Sequence, residues 1–170
     1  MKKIYILLVL VGLLSVALFG CSESPAQPKN VMSDFSDVVR DGCPDDLRLT
    51  IYYMPYSIVT RKPLTVEELI THSSVEIIQV PHEEIVEHFS KIQELATTQL
   101  DPIEGETQVA GKDFNVRMCC VFEAGEKKIL EIAFDYQKKA VLVNGVAVEG
   151  DLILRECIEP FLTEEALANS

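Results

Sequence analysis

His82-Glu83-Glu84-Ile85-Val86-Glu87-His88 is the stretch richest in reactive groups, with two imidazoles and three carboxylates in succession. Such groups ligate zinc and move protons. A zincin helix places its histidines one turn apart as H-E-x-x-H, but the residue three after Glu83 is Val86, and His88 is six positions from His82. The reversed pattern H-x-x-E-H would need a histidine at Glu84. Glu84 and His88 remain, four apart on one helical face. They can share a cation, or they can be an ordinary i,i+4 pair on a solvated surface, which is the simpler reading.

Other reactive groups lack a recognisable arrangement. Asp34, Asp37, Asp41, Asp45 and Asp46, and again Asp101, Glu104 and Glu106, lack the alternating ligands, central glycine and terminal glutamate of a calcium loop. No G-x-S-x-G elbow surrounds a serine and no glycine-rich phosphate loop is present, so no cofactor is expected. Cys43, Cys119, Cys120 and Cys157 lack the spacing of a dense disulfide scaffold. On a strand Cys119 and Cys120 point to opposite faces, which prevents both from serving one tetrahedral metal site. Cys120 and Cys157 are expected as buried free thiols, and a Cys43 to Cys119 bridge would pin the start of the body to its sheet. Tyr52, Met54 and Tyr56 form a strip along one face of a strand. If that face is open, the strip can take a peptide, a protein partner or another ligand. If both faces are covered, it is core.

The N-terminus carries chemistry of another kind. Lys2 and Lys3 precede an uncharged run from Ile4 to Phe19, followed by Gly20, Cys21 and the polar Ser22-Glu23-Ser24-Pro25. This order matches a secretory signal, and the run falls short of the roughly 20 apolar residues that span a bilayer. Leu18-Phe19-Gly20-Cys21 resembles the lipobox of bacterial membrane lipoproteins, with Phe19 larger than the residue usual at its position. The resemblance implies cleavage before Cys21, lipidation of its thiol, and a protein held at the cell membrane facing the extracytoplasmic side. Membrane affinity would then come from acyl chains, each buried methylene contributing about 0.8 kcal/mol.

The elements that must position any site follow from periodicity. Residues 1–20 read as the signal peptide, 21–46 as the lipidated cysteine and a flexible tether, and 47–170 as one globular domain. Within 21–46, Phe35, Val38 and Val39 have the spacing of a short helix able to dock on the body. Leu47, Leu49, Ile51 and Tyr53 alternate with more polar residues and predict a strand. Thr65 and Glu68 predict a capping box opening a brief helix, with Leu64 stapled onto Leu69. Val75 to Val80 predicts a second strand, and Pro81 opens a longer helix whose buried stripe is Ile85, Phe89, Ile92 and Ala96. Two further strands place Phe114, Val116, Met118, Cys120 and Phe122 on one face, and Leu130, Ile132, Phe134 and Tyr136 on one face of the next. Val143-Asn144-Gly145-Val146 is a type I′ hairpin signal. Asp151 should cap a last helix that Pro160 stops near Leu162. The order predicts an α+β domain, an antiparallel or mixed sheet ending in a strand meander and packed by about three helices.

The chain has 15 Lys and Arg against 27 Asp and Glu, a formal charge of −12. Without Lys2 and Lys3 the balance is 13 against 27, or −14. Such a surface repels phosphate backbones, which argues against nucleic acid, and attracts cations and basic proteins or peptides. The reading that follows is a lipid-anchored, noncatalytic binding or sensing module. An extracytoplasmic metal-dependent hydrolase using Glu84, Glu87 and His88 is the alternative, and an accessory subunit of an envelope complex is a third. Cys21→Ser should abolish incorporation of labelled fatty acid and leave the protein released or unprocessed; continued labelling of that variant would contradict the lipobox assignment.

Overall fold

The computed structural model describes residues 31–55, 57–103, 114–135, 140–149 and 152–167. Cys21, Tyr56, Glu104, Glu106, Tyr136 and Asp151 lie outside the described residues. Among the described residues six strands form one sheet: β1 (Leu47–Tyr53), β2 (Glu76–Val80), β3 (Val116–Ala124), β4 (Lys127–Asp135), β5 (Ala140–Val143) and β6 (Val146–Glu149). They lie in the order β2-β1-β3-β4-β5-β6, and every pairing is antiparallel. The fold is α+β.

Alternation in β1 sends Leu47, Leu49, Ile51 and Tyr53 to the principal core, where they meet Met118, Cys120 and Phe122 of β3 and Leu130, Ile132 and Phe134 of β4. Helices seal this face. Helix α1 (Ser33–Val39) inserts Phe35 and Val39, and Phe35 packs 5.3 Å from Phe122, ring centre to ring centre. The Ser36 hydroxyl donates to the Ala96 carbonyl at 2.6 Å, tying α1 to α4 (Phe89–Thr97). The folded body therefore starts ahead of the expected boundary at Asp46. The two apolar residues of α1 that sit one turn apart bury fully, which a solvated tether would not do.

The opposite face is also covered. After β1 the chain runs back over the sheet through α2 (Val66–Ile70), whose Thr65 and Glu68 form the reciprocal capping box. Leu64 and Leu69 bury there beside Cys119, Ala133 and Leu142. Phe114 and Val116 belong to this second core too, not to the face shared by Met118, Cys120 and Phe122. The cause is a bulge: Val116 pairs with Asp135 and Met118 with Phe134, so the extra residue Arg117 reverses the alternation.

The long helix predicted after Pro81 is two, α3 (His82–Glu87) and α4, because His88 leaves helical dihedrals at φ −101°, ψ 13°. The break lets Ile85 on α3 and Ile92 and Leu95 on α4 enter one core; Phe89 and Ala96 are only partly buried. At the C-terminal end α5 (Leu152–Ile158) gives way at Pro160 to a 3-10 turn over Glu159–Phe161, followed by α6 (Glu164–Leu167).

The β5–β6 hairpin turns at Asn144 and Gly145, with φ of 49° and 79°. Asn144 does more than tolerate that angle. Its side-chain oxygen accepts from the Glu131 N–H at 2.9 Å, and its amide donates to the Val31 carbonyl at 2.6 Å, joining hairpin, β4 and the start of the body. Asn144→Ala should cost about 2 kcal/mol, from a left-handed non-glycine residue and two lost bonds. Asn144→Gly should cost about half as much, since the angle then carries no penalty. Urea unfolding measures both, and two equal losses would contradict the assignment.

Candidate functional site

Register decides which part of the sheet remains available. On the second face one row runs Ile77, Tyr52, Cys119, Ala133, Leu142, Ala147 across all six strands. Its centre is sealed, with Cys119, Ala133 and Leu142 no more than 3% exposed. Its end is open: Ile77 is 54% exposed and Tyr52 half-buried beside it. Met54 is fully buried by the chain returning over this face, so the expected strip of Tyr52 and Met54 is not a continuous open surface. The partner face that remains is the cross-strand pair Tyr52 and Ile77 on the edge strand β2 and its neighbour β1.

Local chemistry holds this edge in place. The Tyr53 hydroxyl donates to the Glu76 carboxylate at 2.5 Å on the principal side, and Val80 buries the far end of β2. Ile77 and Gln79 face out from the other side. Among the described residues no strand pairs with the outer edge of β2. The strand Glu-Ile-Ile-Gln-Val has neither lysine nor proline, two of the usual devices that stop an edge from accepting another strand. Tyr52 was visible in the sequence, but its partner Ile77 was not, because pairing register depends on contacts between distant segments.

The expected metal candidates do not converge. Glu84 and Glu87 are exposed, and the His88 ring packs edge-on against Phe161 with centroids 5.6 Å apart. His82 Nδ1 lies 3.3 Å from the Leu47 carbonyl oxygen, and His72 Nδ1 accepts the Ser74 N–H at 3.1 Å. Among the described residues no group of three or more His, Cys, Asp or Glu could hold a metal ion. Beside α2, an open groove of about 650 Å³ is lined by Val59, Arg61, Lys62 and His72. Lys62 is taken up by Glu68, whose carboxyl is held below its usual range first by that bond and then by the Thr65 backbone.

The thiols are structural. Cys43 packs against the helix-covered core while Cys119 sits on the other face, so the sheet stands between them and the proposed bridge does not form; all four described cysteines are free. Burial pushes the Cys119 and Cys120 thiols well up, and Cys157 up to about 12. Their folded-state values exceed the ordinary 9.0, so their contribution to stability is complete below that pH and is lost as pH rises past it. A thiol reagent near pH 8 should label half-exposed Cys43 in the native protein and reach Cys119, Cys120 and Cys157 only on unfolding, and urea midpoints should fall above pH 9. Rapid native labelling of Cys120 would contradict this.

Compared with family models, with curated proteins and with solved structures, the chain matches none.

Proposed function

We propose that this chain is a membrane-anchored extracytoplasmic lipoprotein whose folded domain is a noncatalytic binding module, and that its partner lays an extended Lys- or Arg-bearing segment along β2. The observation that carries this reading is the Tyr52 and Ile77 pair, half-buried and 54% exposed, on the edge strand β2 and its neighbour β1, at the open end of a row whose centre is sealed. An edge strand offers a row of backbone donors and acceptors, so an added strand gains main-chain hydrogen bonds while the apolar pair selects its alternate side chains. The acidic balance of the chain favours a basic segment and speeds its encounter. The Leu18-Phe19-Gly20-Cys21 resemblance supports anchoring through Cys21. Between Cys21 and the body at Val31, Ser22 to Asn30 span at most about 30 Å when fully extended. That length would keep the domain close to the bilayer surface.

Peptides selected from a random library on the full chain should converge on extended sequences carrying Lys or Arg. Ile77→Lys should weaken them at least ~10-fold, about 1.4 kcal/mol, without moving the urea midpoint. Convergence on acidic or helical sequences, or binding indifferent to Ile77→Lys, would contradict the proposal.

A further inference from the structure

On the other face of the sheet a cavity of about 230 Å³ lies between the strands and the C-terminal helices. Met118 and Phe134, each 1% exposed, line it from β3 and β4; Ile158, Leu162 and Leu167 line it from the helical side. One charged group enters this apolar setting. Arg155 of α5 places its guanidinium carbon 5.4 Å from the centroid of the Phe134 ring. Among the described residues no carboxylate lies within ion-pair distance of it. Partial burial pulls its proton affinity below the ordinary guanidinium value, so part of its hydration has been removed without an acid to replace it.

A partly desolvated guanidinium beside an apolar void favours an anion that brings its own apolar body. The planar fork matches a carboxylate in two parallel bonds, and the void gains from hydrocarbon. We infer that this cavity binds a medium-chain fatty carboxylate, its head on Arg155 and its tail against Phe134, Ile158 and Leu162. At about 30 Å³ per non-hydrogen atom the space holds roughly eight, enough for the seven-carbon tail of octanoate with its carboxylate on Arg155. A peptide C-terminus is the poorer occupant, because its amides would be buried among apolar side chains without partners. Glu156 and Glu159 also line the cavity, but both are exposed, and water screens their repulsion more than it screens the half-buried Arg155. Leu152, 67% exposed, adds apolar surface at the cavity.

Methyl resonances of Met118, Ile158 and Leu162 in the full chain, titrated with sodium octanoate below its micelle concentration, test the site directly. Saturable shifts are expected with a Kd below about 10 mM. Arg155→Gln should weaken octanoate at least ~10-fold and leave uncharged 1-octanol unchanged, whereas Leu167→Trp should weaken both. If Arg155→Gln fails to fold, the unaltered chain still decides, since octanoate must bind at least ~10-fold tighter than 1-octanol. No saturation, equal affinity for acid and alcohol, or tighter binding of an acetylated peptide ending in leucine would overturn the inference.

Discussion

Everything in this fold depends on β3 being buried on both sides. Cys119 and Cys120 are consecutive on one strand, point to opposite faces, and are both 0% exposed. A strand in that position cannot leave either face of its sheet to water. Met118, Cys120 and Phe122 require a helical layer, which α1, α4 and α5 supply. Cys119 and Val121 require a second cover, which the chain between β1 and β2 supplies through α2 and its capping box. The bulge at Arg117 turns Val116 under that second cover, and Arg117 itself donates to the Ile58 carbonyl at 2.9 Å, fastening the cover to the strand that needs it.

Coverage on two faces makes the margins of the sheet the places where surface chemistry can appear. The second-face row loses its cover only at β2, where Tyr52 and Ile77 emerge. On the principal face Tyr53, Met118, Phe134 and Val141 form a row, and its helical cover leaves a cavity where Arg155 lies over Phe134. The strand edge offers backbone hydrogen bonds and apolar side chains; the cavity offers one cation in an apolar setting. The two proposed sites thus arise from the same requirement, and they call for ligands of different chemistry.

Much of the architecture was legible because it is local. Period-two alternation identified β1, the Thr65 and Glu68 spacing identified the cap of α2, Asn144-Gly145 identified the hairpin, and Pro160 ended α5. What escaped was non-local. The Arg117 bulge leaves no mark in hydropathy, because Val116 and Met118 are apolar whichever face they take. His88 breaks a helix whose sequence periodicity runs on without interruption, since the bend answers to the packing of α4 against α1 and α5. The site was legible only in part for the same reason. Tyr52 stood out as a large residue on a strand, but its exposure, the burial of Met54 and the neighbourhood of Ile77 are set by a returning chain and a register. Arg155 gave no signal, being one arginine within a polar and apolar helix.

The central claim is a sheet sealed at its centre and open at β2, and native-state amide hydrogen exchange tests it most directly. The account predicts the slowest exchange along β3 and β4, fast exchange at the alternate β2 amides that point away from β1, and protection of those same amides when an extended basic peptide binds. Outward β2 amides already as protected as those of β3 in the free protein, or unchanged by a bound peptide, would contradict it.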